Sequence, residues 1–545
     1  MLFMYAFDQK FPKAGFTKLS HQVTHLAGKL PLGLKVMGSY FRGMAKHEWE
    51  RVIPRLWNRL DGDIESILKF SYDGLTDEDK DLFVHIACFF NYQKVEKVEK
   101  HLAESFMDVR QGLHVLVEKS FISIDRGIIK MHSLLAQLGR DIVRKQSDRN
   151  PGKRQFLVDD KDIGELLTDP TAITTSVIGI YSTQNMNWHK LSERAFKGIY
   201  NLQFLRLTTF RNMASLPGFV KYISPKLQLL DCEYWPNTCL PFTVNLECLV
   251  ELTMTNSMLE KLWADIKLLR NLKWVNLSRS NKLKELPNLS TATSLEELDL
   301  SGCSSLMELP SSIGKATTLQ KLNLDGCVKL VELPSSIGNL TNLQELNISF
   351  CMRLVKLPSS IGNATNLQKL DLSYCSSLVE LPSSLENATK LEDLDLSGCL
   401  SLVNFPSLTG NANLQELDLC RCSSLVKLPY SIGNTTNLQK LDLRYCSSLV
   451  ELPCSLGNAT NLQKLDLSYC SSLVELPSSI GNATNVQKLD LSHCSSLVEL
   501  PSSIGNATSL QELDLRFCIS FVSSVIAQVW WSLLSLLGMQ PISKN

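Results

Sequence analysis

The sequence predicts an α/β chain, with α-helices first and a long stack of short parallel strands after them. Three observations carry this expectation. Ten cysteines share one phase, Cys303, Cys327, Cys351, Cys375, Cys399, Cys422, Cys446, Cys470, Cys494 and Cys518, with a step of 24 residues except for 23 between Cys399 and Cys422. Around each of them apolar residues alternate as L-x-L, the period of a strand with one buried face. Before about residue 170 that period is absent, and apolar residues instead recur at helical spacing.

The N-terminal elements follow in order. His21–Leu30 reads as a helix, followed by Pro31-Leu32-Gly33-Leu34. Ile64–Tyr72 reads as another, with Ile64, Ile67 and Leu68 on one face. Thr76-x-x-Asp79 has capping-box spacing and predicts a helix carrying Leu82, Phe83, Ile86 and Ala87. Ser120–Asp125 and Ile128–His132, joined by Arg126-Gly127, read as a hairpin. Helices closed by a hairpin predict a winged-helix unit.

The repeat reads L-x-x-L-D-L-S-x-C-S-S-L-V-E-L-P-S-S-I-G-N-A-T-N, a leucine-rich-repeat pattern. Leu367, Leu370, Leu372, Cys375, Leu378, Leu381, Pro382, Ile361 and Ile432 are expected at inward slots. Pro and Gly keep the back wall from growing into a long helix. Weaker copies begin near Leu202, Leu227, Leu249 and Leu272, giving about fourteen units up to Cys518. One unit cannot bury its own apolar face, so the units are expected to stack into a curved solenoid with the parallel sheet on its concave side.

Several segments then add a specific resemblance. Lys29-Leu30-Pro31-Leu32 resembles the "GLPL" element of plant NLR disease-resistance receptors. Phe83-Val84-His85-Ile86-Ala87-Cys88-Phe89-Phe90 is similar to the "FLHIACFF" element of their TIR-NBS-LRR class, and Met131-His132-Ser133 to their "MHD" element. Leu134-Leu135 and Gly139-Arg140-Asp141-Ile142-Val143 continue the match. The resemblance implies a partial small helical subdomain of the NB-ARC module over 1–62, its winged-helix subdomain over 63–170, a linker over 171–200, repeats over 201–518 and an apolar tail or cap over 519–545. It also implies that Pro31, Leu32 and His132 stand where the family contacts nucleotide. Lys29 replaces the Gly of the first element and Ser133 the Asp of the last. G-x-x-x-x-G-K-[ST] is absent, so the chain is expected to start downstream of the P-loop core. Phosphate affinity needs that cradle. No cofactor is therefore expected for this chain alone, with ADP or ATP belonging to the full-length family.

Composition narrows the function. Lys+Arg and Asp+Glu are 55 each, so neither a nucleic-acid partner nor a large phosphate-binding surface is expected. Cysteines one strand apart and pointing the same way suit neither a metal nor disulfides; they are expected to be small buried fillers in a reducing compartment. Asn363, Asn387, Asn458, Asn482 and Asn506 each open Asn-Ala-Thr in one repeat phase, and are expected to be unmodified.

The candidate partner-binding face is the outward side of the strands. Lys369 and Asp371, Lys440 and Asp442, Lys464 and Asp466, and Lys488 and Asp490 are i, i+2 pairs on one side, with alternating charge expected to relieve an Asp ladder. Tyr374, Tyr445, Tyr469, His493, Phe350 and Phe517 stand at the strand exits beside each Cys. Ile519–Ile542 carries no charge and is long enough either to span a bilayer or to cap the last repeat. The expectation is a non-enzymatic, cytoplasmic or nuclear immune receptor module that binds a pathogen effector protein or another receptor chain. Two alternatives stay open: a nucleotide-driven switch, if the P-loop core lies upstream, and an extracellular repeat receptor.

Overall fold

In the computed structural model the described residues are 2–26, 31–56, 68–69, 71–169, 173–182, 196–207, 223–240, 245–263 and 265–518. The chain divides into two compact units, Met1–Thr209 with Pro217–Asp231, and Phe210–Leu216 with Cys232–Asn545.

The first unit opens with helices α1 (Leu2–Phe7), α2 (Thr17–Leu26), α3 (Pro31–Tyr40) and α4 (Lys46–Leu56). Their apolar faces meet at Trp49, a fully buried indole stacked on Phe7 at 5.4 Å and met edge-on by Phe16 at 5.3 Å. Gly38 lets α3 touch α1, since a Cβ there would lie 2.6 Å from Tyr5 Cβ. The helix expected over His21–Leu30 is α2, which starts four residues earlier; 27–30 lie outside the described residues. So do 64–67 and 70 of the helix expected at Ile64–Tyr72.

Helix α5 (Asp77–His85) starts as its sequence predicts. The Thr76 hydroxyl oxygen accepts the Asp79 N–H at 3.2 Å, and the hydroxyl donates to the Asp79 carboxylate at 2.6 Å. Ile86–Phe90 continues the helix as one π turn, with all five residues buried. Helices α6 (Val95–Leu102) and α7 (Val109–Glu118) follow, then the antiparallel wing β1 (Ile122–Asp125) and β2 (Ile128–Met131), then α8 (Ser133–Lys145). Arg126 and Gly127 both have positive φ, 50° and 75°, the backbone of a tight two-residue hairpin. Helix α8 packs on the π turn through Gly139, where any Cβ would run into Ala87 Cβ.

The parallel ladder begins earlier than the expected 201. Strand β3 (Phe156–Leu157) pairs with β4 (Gly179–Ser182), which pairs with β5 (Phe204–Leu207). Helix α9 (Asp160–Thr168) lies between β3 and β4 in the chain. These first rungs have unequal spacing, so periodicity does not reveal them. Strand β6 (Leu229–Cys232) closes the unit.

The second unit repeats one pattern. Strands β7 (Glu251–Thr253), β8 (Trp274–Asn276) and β9 (Glu297–Asp299) lead into three-residue strands β10 (Lys321–Asn323), β11 (Glu345–Asn347), β12 (Lys369–Asp371), β13 (Asp393–Asp395), β14 (Glu416–Asp418), β15 (Lys440–Asp442), β16 (Lys464–Asp466), β17 (Lys488–Asp490) and β18 (Glu512–Asp514). From β9 to β18 each pairs in parallel with the next in strict register, so Leu298, Leu322, Leu346 and Leu370 form one buried column. Each such leucine contributes roughly 1.5–3 kcal/mol of burial. The back wall is a short 3-10 turn opened by Pro, such as Ser359–Asn363 after Pro358. Pro382, expected inward, is only half-buried; with φ −69° it aims the turn instead of filling the core.

The single 23-residue step has a structural consequence. The repeat between Cys399 and Cys422 forms no 3-10 turn, and Asn411 occupies the slot held by Ala388 one repeat earlier. Its buried amide donates to the carbonyls of Ala388 at 3.0 Å and Leu385 at 3.3 Å.

All ten in-phase cysteines are buried and free. Each thiol lies against the carbonyl at the end of the preceding strand, for example Cys375 Sγ to Ile348 O at 3.2 Å and Cys470 Sγ to Leu443 O at 3.1 Å. They are thus hydrogen-bond donors as well as fillers. Burial pushes the Cys303 and Cys375 thiols up to about 12. Among the described residues no helix is long and apolar enough to cross a membrane; 519–545 lie outside them.

Two outcomes follow. Gly139→Ala gains about 1 kcal/mol of helix propensity but overpacks a rigid contact at a cost of about 1–3 kcal/mol; with Ala87 so close, a net loss of about 1–2 kcal/mol is expected in urea unfolding. In a thiol-titration time course, the exposed Cys248 and Cys454 react first, Cys239 and Cys420 more slowly, and the twelve buried cysteines only on unfolding.

Candidate functional site

The strands of the second unit set two outward columns on either side of each buried leucine. The first column reads Glu345, Lys369, Asp393, Glu416, Lys440, Lys464, Lys488 and Glu512, each opposite the next. Two of its four lysines pair within the column, Lys440 with Glu416 at 3.4 Å and Lys488 with Glu512 at 2.7 Å. Lys464, between two lysines, has no ion pair among the described residues.

The second column is Asp371, Asp395, Asp418, Asp442, Asp466, Asp490 and Asp514. These carboxylates turn back on their own chain. Asp371 accepts the Ser373 N–H at 2.9 Å, Asp442 that of Arg444 at 3.1 Å, Asp466 that of Ser468 at 3.2 Å and Asp490 that of Ser492 at 2.9 Å. This is the local bond by which Asp ends a strand in a turn. The structure therefore corrects one expectation and qualifies another. Asp442, 2% exposed, and Asp466, 6% exposed, are out of a partner's reach, while Asp371 and Asp490 are half-buried caps. The aspartates are relieved chiefly by backbone N–H groups and arginines, with Lys440 and Lys488 adding a weaker attraction as the charge alternation predicts. Arg444 Nε lies 2.9 Å from both Asp442 oxygens and 3.8 Å from Asp466.

Arg444 was not legible as a site residue, because most repeats carry Ser in its slot. Nor was the acid cluster it borders, where Asp418, Cys420 and Asp442 place ligand atoms within 4.8 Å of one another. Burial there, with Asp442 and Asp395 nearby, pushes the Asp418 carboxyl up to about 6 against the Cys420 N–H that holds its charged form.

The strand exits carry the most exposed feature of the candidate face. Tyr374, Tyr445, Tyr469, His493 and Phe517 all have φ between 58° and 63°, the left-handed region. Gly302, Gly326 and Gly398 occupy the same slot in other repeats. Non-glycine residues adopt this backbone at a cost of about 1–2 kcal/mol each. It swings their rings out over the neighbouring rung. Tyr445 and Tyr469 stack at 4.4 Å, Tyr469 and His493 at 4.1 Å, and His493 and Phe517 at 4.4 Å. The Arg421 guanidinium covers the open face of Tyr445 at 5.7 Å. Phe350 and Tyr374 form a separate stack at 4.6 Å, ended by Gly398. A stacked pair returns about 0.5–1.5 kcal/mol, enough to offset much of the backbone cost. Tyr374, Tyr445 and Tyr469 still leave about two fifths of their surface to water, and Phe517 half.

The residues matched to nucleotide contacts lie in the first unit. His132 caps α8, its Nδ1 accepting the Leu134 N–H at 3.2 Å, and Ser133 is exposed at the first helical position. Pro31 and Leu32 open α3, and their side chains lie outside the described residues.

Comparison with known proteins matches residues 76–147 to the family described as "Disease resistance protein Roq1-like, winged-helix domain". Residues 291–399 match a "Leucine-rich repeat region", and 248–267, 461–483 and 485–507 match leucine-rich repeats. Over 319 residues the chain is 55% identical to the disease resistance protein TAO1 of Arabidopsis thaliana, covering 57% of this chain and 27% of TAO1. Over 317 residues it is 50% identical to the probable disease resistance protein RPP1 of the same plant, covering 57% of this chain and 26% of RPP1. The chain thus spans about a quarter of the length of the curated relatives it matches. Among solved structures, a leucine-rich-repeat protein of Leptospira interrogans aligns over 71% of this chain and all of its own length, at 22% identity and a TM-score of 0.37.

The Asp418 site gives a pH dependence. A carboxyl whose folded pKa is raised stabilises the fold below its unfolded pKa, about 3.9, and that contribution is lost as pH rises to about 6. Asp418→Asn keeps the acceptor for the Cys420 N–H. It is expected to raise Tm at pH 7 and to flatten the Tm slope across this window, read by calorimetry.

Proposed function

We propose that this chain, a homologue of plant disease-resistance proteins sharing their winged-helix domain and leucine-rich repeats, is the recognition and regulatory part of an intracellular immune receptor. Its repeat face binds a protein, either a pathogen effector or another receptor chain. The observation that carries the reading is the stacked, half-exposed row Arg421, Tyr445, Tyr469, His493 and Phe517 beside the charged column of Lys440, Lys464 and Lys488. Aromatic side chains and arginine are enriched where proteins meet and where binding energy concentrates. A stack held by its neighbours also loses little rotamer freedom when a partner arrives.

The reading assigns the chain no catalytic step. It also assigns no nucleotide chemistry to the described residues. The winged-helix domain is taken as the regulatory part.

The test uses glycine, the natural occupant of the same left-handed slot in three repeats. Purified pathogen-secreted proteins are screened against the chain by surface plasmon resonance, and binders are re-measured on Tyr445→Gly, Tyr469→Gly and Phe517→Gly. A loss of roughly tenfold or more per ring, at unchanged circular dichroism, supports the reading. Binders indifferent to all three substitutions, or no binder in the screen, overturn it.

A further inference from the structure

The π turn borders a cavity that the repeat face does not use. It has a volume of about 220 Å³ and lies within the first unit. Its apolar wall includes Phe89 of the π turn, Val158 just after β3 and Tyr181 of β4. Its charged wall is Arg140 of α8 and Arg206 of β5. Asn91 also lines it, with its amide spent on both backbone groups of Met131, at 3.1 and 2.8 Å. Among the described residues no carboxylate lines it. A π turn inside a helix is rare and recurs at functional sites.

Arg206 is held in place before any ligand arrives. Its side chain is 11% exposed. Nε donates to the Asp231 carboxylate at 2.9 Å, and Nη1 donates at 3.1 Å to the Phe89 carbonyl, one of those a helix end leaves without a partner. The guanidinium lies over the Phe89 and Tyr181 rings, 5.4 and 5.3 Å from their centroids. Nη2 has no hydrogen bond among the described residues.

Arg140 is exposed, and among the described residues it makes no hydrogen bond or ion pair. Asp141 and Asp159 are both taken by Arg144, at 3.5 and 3.2 Å. Burial pushes the Cys88 thiol up to about 12, and the Arg140 charge is close enough to pull against that shift. Asp231 balances Arg206, so the cavity keeps one uncompensated positive charge, that of Arg140. A guanidinium offers two parallel N–H bonds to a carboxylate or a phosphate. Phe89, Val158 and Tyr181 give the rest of a ligand an apolar seat. The volume lies below the roughly 300–1,000 Å³ of sites for drug-sized molecules, which suits a single ring or a short chain and not a nucleotide.

We propose that this cavity binds a small organic anion, its oxyanion head held by Arg140 and Arg206 and its compact apolar body resting on Phe89 and Tyr181. Binding here asks nothing of the repeat face.

Isothermal titration calorimetry of the full chain with benzoate and phenyl phosphate tests this, since the two share a ring and differ in the head. Benzamide, a neutral analogue, and inorganic phosphate, a head without a body, are the controls. At least one aryl anion is expected to bind with Kd of about 1 mM or tighter, and roughly tenfold tighter than either control. The tighter of the two identifies the head as carboxylate or phosphate. Arg140→Gln is expected to weaken binding roughly tenfold. Arg140→Lys, which keeps the charge and loses the fork, weakens it less. Circular dichroism checks that both variants are folded. No binding by either aryl anion, benzamide as tight as benzoate, inorganic phosphate as tight as phenyl phosphate, or an affinity that Arg140→Gln leaves unchanged overturns the proposal.

Discussion

A single repeat has one leucine face and nothing of its own to cover it. Only the next repeat, laid parallel and in register at strand spacing of about 4.8 Å, removes that face from water. The second unit follows from this constraint. Once Leu298, Leu322, Leu346 and Leu370 are opposite one another, every other position of the repeat is opposite its own copy as well. A sequence motif becomes a set of columns, and each column must be chemically tolerable to itself.

The columns solve that problem in different ways. The cysteines do so as donors, each thiol meeting the carbonyl that ends the preceding strand, so none faces another as a reactive pair. The aromatic residues do so by stacking: ring separations of 4.1–4.6 Å sit close to the strand spacing, and the left-handed backbone aims the rings along the stack. The aspartates have the hardest task, since like charges one strand apart repel. They survive because each is held by an N–H two residues on, and because Arg444 and Arg516 neutralise some of them. Where that help is thinnest, at Asp418, the carboxyl is forced towards its neutral form.

The first unit obeys a different rule, contact between unlike elements. Its tightest approaches are made by residues without a side chain: Gly38 between α1 and α3, and Gly139 between α8 and the π turn. The π turn itself lets five consecutive apolar residues, Ile86 to Phe90, all be buried. His132 begins α8 by accepting a backbone N–H, so a residue matched to ligand contact also has a purely local structural role.

The repeat length, the phase of the inward leucines, the Thr76 cap, the Arg126-Gly127 hairpin and the aromatic slot were all readable from the chain, because each rests on spacing within a few residues or on a period. The early rungs β3 and β4 were not, because parallel partners far apart in sequence need no common period. The sequence could place Lys369, Asp371 and their equivalents on one side of a strand. It could not say that the aspartates bend back to their own backbone, leaving Asp442 and Asp466 buried, while Lys440 and Lys488 reach across to glutamates of adjacent rungs. Periodicity determines which face a residue occupies. Which neighbour it then bonds depends on what the adjacent rung presents at that distance, and only the folded stack decides that.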